Sequence, residues 1–402
     1  MFRTILHLDL DAFFCAVEET RNPALRGVAF AVGGKPNERG VVASCSYAAR
    51  KMGVRSAMPM SRAVRLCPGL VIVPGHHRIY RDVSHQVMDI LRSTSGLVEQ
   101  ISIDEAFLDI SDIRDEPERI ARGLQSRIRD ELHLPSSIGI ASNKLVAKIA
   151  TEVGKALALM RIKAQGLTEP PNALTVVPYG EEAAFLSPLP ADMLWGVGPK
   201  TFQRLADLGI HTIGDIAKWP ENELIRLFGE NGRDLSRHAK GIDNRPIVTE
   251  RETKSISQEI TFSVDVRDDK VLQKTIREQS ARVASQLRKS ELAGSTIKLK
   301  IRWPDFTTLT RQTTLGYRTD QEDEIAEAAL ELMKSVRKPN QAVRLIGVGV
   351  SGLGQPIRQL GLWDTSEAVL RMDNEKSRKL QEALDVLREK YGSDVIHKGE
   401  TS

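Results

Sequence analysis

Two short segments place carboxylates where a half-buried strand has few to spare: Ile5-Leu6-His7-Leu8-Asp9-Leu10-Asp11 and Ile101-Ser102-Ile103-Asp104-Glu105-Ala106-Phe107. In each, apolar residues alternate with polar ones, the period of a strand with one face in a core and one face open to chemistry. The open face carries acids. Hard oxygen donors gathered at the ends of adjacent strands are what a pair of magnesium ions takes, and the chemistry is then two-metal phosphoryl transfer. For either segment by itself, a merely solvated acidic face is the alternative. Asp104 and Glu105 are neighbours that a regular strand sends to opposite faces, so a turn or bulge must intervene if both serve one centre.

Other residues fit the same chemistry. Tyr47 and Arg50 stand three apart on a short predicted helix, where a hydroxyl beside a guanidinium fork can grip phosphate oxygens; a surface Arg beside a half-buried Tyr is the plainer alternative. Leu194-Trp195-Gly196-Val197-Gly198-Pro199-Lys200-Thr201 is a Gly-x-Gly turn between helices, repeated in related form at Leu208 to Asp215. There Gly196 and Gly198 allow backbone amides, with Lys200 nearby, to face a duplex phosphate without reading bases; a tight helix connection is the alternative. Lys298, Lys300 and Arg302 alternate with Ile297, Leu299 and Ile301, which makes one strand face basic and the other apolar. A basic sheet face can track a phosphate backbone, although lysines also protect a solvated edge strand.

The elements that must position these residues follow from the pattern. Helices are expected from Phe13, at 75–95, at Pro117 to Leu132, and from Lys144, after the Ser142-Asn143 cap, to at least Lys155. Strands are expected at 28–34, 40–45, 101–110 and 137–141. This β-α-β-β-α-β order describes a small α/β sheet domain, interrupted early by Phe13 to Pro74, with the acids on neighbouring central strands. From about residue 174 the chain turns to short helices punctuated by glycine. A second α/β unit follows, with strands 256–264, 295–303, 308–315 and 343–352 and helices 268–290 and 321–335.

The chain has 402 residues, which points to two to four domains. Its three cysteines, Cys15, Cys45 and Cys67, are not spaced as metal ligands; reduced thiols, no zinc site and a cytoplasmic protein are expected. No apolar stretch approaches the roughly 18 residues of a membrane span. The net charge of +4 is too mild to argue for nucleic acid by itself. Residues 246–358 carry 19 Lys and Arg against 15 Asp and Glu, so the argument rests on where the basic residues lie.

His7-Leu8-Asp9-Leu10-Asp11-Ala12-Phe13-Phe14, Ser46-Tyr47-Ala48-Ala49-Arg50, Ser102-Ile103-Asp104-Glu105-Ala106 and Gly139-Ile140-Ala141-Ser142-Asn143-Lys144 occur in this order. With this set the chain resembles the Y-family DNA polymerases, in their bacterial polymerase IV (DinB) branch, over residues 1 to 363. The resemblance implies a right-hand, multidomain α/β and α+β architecture. Its parts are a palm at 1–10 and 75–165, fingers at 11–74, a helix-hairpin-helix thumb at 166–242 and a C-terminal little finger at 246–358. Residues 359–402 would be a clamp-binding peptide and tail.

It further implies a low-fidelity, template-directed DNA polymerase without proofreading, which carries out translesion synthesis by nucleotidyl transfer from a dNTP to a primer 3′-hydroxyl. Asp9, Asp104 and Glu105 match the three metal-binding carboxylates, with the Leu10 carbonyl as a further ligand for two Mg2+ ions; Asp11 matches a less critical position. One ion would lower the pKa of the primer hydroxyl, and the other would hold the triphosphate. Phe14 matches the steric gate against a ribose 2′-hydroxyl. Phe13, Ser44, Tyr47, Arg50 and Lys155 match nucleotide contacts, although the Pro-x-Gly turn common after this lysine is replaced by Ala156-Leu157-Ala158, which suits a longer helix. Ala43 and Ala57 fall where the fingers are spare around the nascent pair. Gln359, Leu360, Leu362 and Trp363 look like the peptide that docks on the sliding clamp, its β subunit, with Leu362 and Trp363 as apolar anchors. A monomer bound to primer-template DNA, dNTP and clamp is expected. The rivals are a catalytically weak DNA-binding scaffold, disfavoured by the full set of acids, and a nucleotidyl cyclase on a similar palm, which would not need the glycine hairpins or the basic second sheet.

Overall fold

The computed structural model describes residues 3–355 and, beyond them, only Ala383. The expected clamp peptide at Gln359 to Trp363 lies outside the described residues. The chain divides into two compact units, Met1–Arg251 and Glu252–Ser402.

The first unit begins with β1 (Ile5–Leu10), α1 (Phe13–Arg21), β2 (Phe30–Gly33), β3 (Val42–Cys45), α2 (Tyr47–Lys51), α3 (Met60–Leu66) and β4 (Val71–Val73). It continues through α4 (His77–Thr94), β5 (Val98–Gln100), β6 (Glu105–Asp109), α5 (Pro117–Leu132), β7 (Ser136–Ala141), α6 (Lys144–Ala164) and β8 (Leu174–Val176). The main sheet has the order β5-β6-β1-β7-β8, and β2, β3 and β4 form a separate small sheet. Two of the four acids fall on neighbouring central strands, since β1 pairs antiparallel with β6 and Asp9 stands directly opposite Glu105, whereas Asp11 and Asp104 lie just outside these strands.

Every residue of β1 is buried, so both of its faces are covered and neither is open as the alternation suggested. Leu6, Leu8 and Leu10 join a core with Tyr80, Val87, Leu91, Leu124 and Ile128 of α4 and α5. Ile5 joins the opposite core, with Phe107 of β6 and Leu145, Val146 and Ile149 of α6. By the two-residue period, His7 and Asp9 share the face of Ile5 and lie under α6. Helix and sheet approach closely at Gly139: a Cβ there would come within 2.6 Å of the Thr151 amide nitrogen and closer still to the Ala147 carbonyl oxygen.

Two sequence expectations change and one holds. The strand expected to run from Ile101 is a turn as far as Asp104, and β6 starts only at Glu105. The helix from Lys144 runs through Lys155 to Ala164, as the absence of the Pro-x-Gly turn allows. Leu174–Val176, expected to lie beyond the sheet, pairs parallel with β7 as its fifth strand, so the sheet extends past residue 165.

Short helices follow: α7 (Glu182–Leu186), α8 (Pro199–Ala206), α9 (Ile213–Lys218), α10 (Glu221–Phe228) and α11 (Glu230–Ala239). Residues 246–251, expected to open the second domain, are fastened with Asp243 to the first unit. Asp243 accepts from the Leu145 amide at 3.1 Å and from the Arg245 guanidinium at 2.7 and 2.9 Å. Buried Glu99 accepts from the Val248 amide at 3.0 Å and from Arg251 at 2.6 Å.

The second unit contains β9 (Ser255–Val266), α12 (Asp269–Lys289), β10 (Ala293–Arg302), β11 (Thr308–Thr319), α13 (Glu322–Val336) and β12 (Val343–Gly354), close to the elements expected. Its antiparallel sheet has the order β11-β10-β12-β9. Ile297, Leu299 and Ile301 are buried against Leu272, Ile276, Val283 and Ile325 of the two helices. Lys298, Lys300 and Arg302 therefore point away from that core.

If the Gly139 contact sets the spacing of α6 over the sheet, Gly139→Ala lowers stability by about 1–3 kcal/mol through overpacking. A urea titration of the full chain should show the lower midpoint.

Candidate active site

A polar seam runs between α6 and the sheet. From α6, Lys144 Nζ reaches Glu99 of β5 at 2.7 Å, and Lys148 Nζ reaches Glu105 of β6 at 2.8 Å. Thr151 Oγ1 lies 2.9 Å from His7 Nδ1, and Lys155 pairs with Asp9. Positions 148, 151, 152 and 155 recur at the helical period and so share one face. The Asp9, Glu105 and Glu152 carboxylates offer oxygens that all lie within 4.8 Å of one another. Lys155 also stands 3.8 Å from Asp11 and 3.9 Å from Glu152.

Three acids this close suit a divalent cation: the donors are hard oxygens, and their spacing is compatible with one hexacoordinate ion. Glu152 did not stand out in the sequence as a site residue. The signal for it was its place on the same helix face as Lys148 and Lys155, which the expected helix already implies.

Asp104 stands outside this trio. The Ile101 to Asp104 turn is closed by the Ile101 amide donating to the Glu105 carbonyl at 3.0 Å, while Ser102 Oγ donates to Asp104 Oδ1 at 2.6 Å. The turn expected between the two acids is present, and in this structure it directs Glu105 to the cluster and Asp104 to Ser102. Asp11 is tied down elsewhere: Ser137 Oγ donates to both its oxygens, at 3.0 and 2.9 Å, and the Asn172 amide donates at 3.2 Å.

Leu10 donates its amide to the Asp104 carbonyl at 3.0 Å, which locks the end of β1 to the turn. Ala12 then takes a left-handed conformation, with φ of 49°, and α1 begins at Phe13. The Phe13 ring is core, leaving its backbone as the part that can meet a nucleotide. Phe14 is half-buried, 4.3 Å from the Tyr80 ring and nearly parallel to it. Ser44 is buried beside the Cys15 thiol. Arg50 lies 4.9 Å over the Tyr47 ring, so the expected shared face is present.

Electrostatics tie these groups together. Burial pushes the Tyr47 hydroxyl far up, and the Asp11 and Asp9 carboxylates push it further. Burial also raises Asp9, against the pull of Lys155. Lys155 is held protonated, its burial outweighed by Asp9, Asp11 and Glu152, and the ion pair is the form the geometry supports. Contact with His7 and the Lys148 ammonium hold Glu105 well below the usual carboxylate range despite burial. Burial lowers His7 to about 4, so its ring is neutral at pH 7.

The remaining candidates belong to the short helices of the first unit and to the sheet of the second. Gly196 has φ of 102°, Gly198 precedes α8, and both are exposed with Lys200. The two glycine turns are joined by the Ala191 amide donating to the His211 carbonyl at 2.9 Å. In the second unit, Lys298 and Lys300 face Gly349 and Gly347 on the adjacent strand, and Lys300 reaches across to Glu259 at 2.8 Å.

Residues 8–152 match the impB/mucB/samB family model, and residues 253–362 match that family's C-terminal domain. The chain therefore belongs to the impB/mucB/samB family, the Y-family DNA polymerases of DinB type. It is 40% identical to a DNA polymerase IV of Dehalococcoides mccartyi, over 99% of this chain and 97% of that one. It is 45% identical to a DNA polymerase IV of Streptomyces coelicolor, over 87% of this chain and 71% of the other. Among solved structures, a Y-family chimera, Dbh-Dpo4(243-245)-Dbh, superposes with a TM-score of 0.76 at 26% identity, covering 88% of this chain and 99% of that one. An insertion ternary complex of Dbh DNA polymerase gives 0.60 at the same identity and coverage. The protein is a DNA-directed DNA polymerase of the palm, fingers, thumb and little-finger architecture.

Asp11 provides a check on the site's electrostatics. Burial raises its pKa from 3.8 to about 6, so the folded chain holds a proton that the unfolded chain has lost, and this contribution to stability disappears as pH rises from 3.8 through 6. Asp11→Asn does not titrate. Its stability relative to wild type should improve by up to about 3 kcal/mol between pH 4 and pH 8, read from denaturation midpoints.

Proposed function

We propose that this enzyme is a low-fidelity polymerase that copies past damaged template bases without proofreading, tethered to the sliding clamp. The observation that carries the reading is the cross-strand Asp9–Glu105 pair, held under α6 beside a lysine that the triphosphate would take over. Two magnesium ions bound by Asp9, Asp104, Glu105 and the Leu10 carbonyl would supply a more acidic primer 3′-hydroxyl and neutralise the departing pyrophosphate.

The chain's own residues do the rest. Lys148 fixes the Glu105 carboxylate, and Asp104 is held by a serine contact with which a nearby cation would compete. Tyr47, Arg50 and Lys155 gather toward Asp9 and Asp11, as a triphosphate grip requires. Phe14 would exclude the ribose 2′-hydroxyl, since an apolar ring offers neither room nor a hydrogen bond. Ala43 and Ala57 are exposed and small, which favours tolerance of a distorted pair. The exposed glycines Gly196 and Gly198 and the basic face of β10 favour a duplex held by its backbone, weakening with salt. For the clamp, support rests on the sequence of Gln359 to Trp363.

The test is primer extension opposite defined damaged and undamaged bases, with magnesium and each nucleotide supplied separately; a stall at every lesion would overturn the translesion reading. Asp104→Ala should abolish extension while leaving DNA binding largely intact, and retained extension would remove Asp104 from the metal ligands. Deleting Gln359 to Trp363 should remove clamp stimulation of synthesis while activity on bare primer-template persists.

A further inference from the structure

A gate that works by exclusion is only as selective as the wall behind it. Phe14 leans on Tyr80, the two ring centroids 4.3 Å apart and the planes 14° from parallel. His77 meets both rings edge-on at 5.9 Å. Tyr80 is fully buried, and it cannot slide along the stack because its hydroxyl donates to Glu18 Oε1 at 2.6 Å.

Glu18 is itself 3% exposed and sits one turn beyond Phe14 on α1. Its carboxylate takes two further contacts, His76 Nδ1 at 2.8 Å and Arg21 Nη1 at 2.8 Å. Burial alone would raise its pKa, but these donors hold it below the usual carboxylate range, so it stays charged and the hydrogen bond to Tyr80 is charge-assisted. A buried ionised carboxylate outside the Asp9, Glu105 and Glu152 cluster costs desolvation, and a plain apolar contact between α1 and α4 would not need it.

We propose that Glu18 is a positioning residue for sugar selection: it locks the Tyr80 ring, and the locked ring keeps Phe14 from yielding to a ribose 2′-hydroxyl. The proposal rests on the reading of Phe14 as the gate. Half-buried Phe14 is backed by the stacked Tyr80 ring, which occupies the space behind its face. Loosening Tyr80 by a few tenths of an ångström therefore relaxes the exclusion without removing the gate itself.

The experiment compares kcat/KM for a dNTP and the matching ribonucleotide on the full chain, using Tyr80→Phe, Glu18→Gln, the double variant and Phe14→Ala. Tyr80→Phe keeps the stacked ring and leaves Glu18 with His76 and Arg21, so it carries the test even if Glu18→Gln fails to fold. Each single variant should lower the deoxy-to-ribo ratio about tenfold, part of what a charge-assisted hydrogen bond contributes, mainly by raising ribonucleotide use. The double variant should lower it no further than the lower single, and Tyr80→Phe should add nothing in a Phe14→Ala background. An unchanged ratio in Tyr80→Phe, alongside a collapsed ratio in Phe14→Ala, overturns the proposal and leaves the gate standing. An unchanged ratio in Phe14→Ala overturns the gate itself.

Discussion

Negative charge buried at the end of a sheet must be answered by positive charge from whatever covers it. Here α6 supplies the answer, one residue per strand position: Lys144 to Glu99, Lys148 to Glu105, Thr151 to His7 and Lys155 to Asp9. An uncompensated buried carboxylate costs several kcal/mol. The helix is therefore part of the site and not only a cover for the core. Leu145, Val146 and Ile149 bury one side of it, while the lysines on the next turn meet the acids.

In the same seam, a divalent ion at the acids would compete with the lysine. Lys155 lies against Asp9 and within 4 Å of Asp11 and Glu152, so it already provides the positive charge that a divalent ion would bring. A substrate carrying phosphates offers this ammonium another partner. On the proposed reading, cations reaching the acids would free the lysine to pair with anionic oxygens of the substrate.

Much of this was legible in the residue pattern, because strands of period two and helices of period 3.6 declare which residues share a face. Tyr47 and Arg50, and the Lys298 to Arg302 row, were placed on the right faces for that reason, and Asp9 on a face of β1 that proved covered. What escaped depended on contacts distant in sequence. β8 is only three residues long and exists because β7 is beside it. Glu152 looked like an ordinary solvated helix acid until Asp9 and Glu105 were brought beneath it. The burial of both faces of β1 was hidden because His7, Asp9 and Asp11 read as solvent-facing residues, when partners from α6, β7 and the chain before β8 make their burial tolerable. The pinning of Asp243 to Arg251 could not be read either, since its anchors, Leu145 and Glu99, lie about a hundred residues or more upstream.

That pinning leaves Glu252 to Lys254 as the chain between the last anchor and β9, a reach of roughly 10 Å. A tether so short makes the second unit's encounter with anything held by the first an intramolecular event, at an effective concentration of about millimolar or more. Two individually weak grips on one duplex would then multiply. The length of duplex available, more than the strength of either grip, would decide how long the polymerase stays on its template.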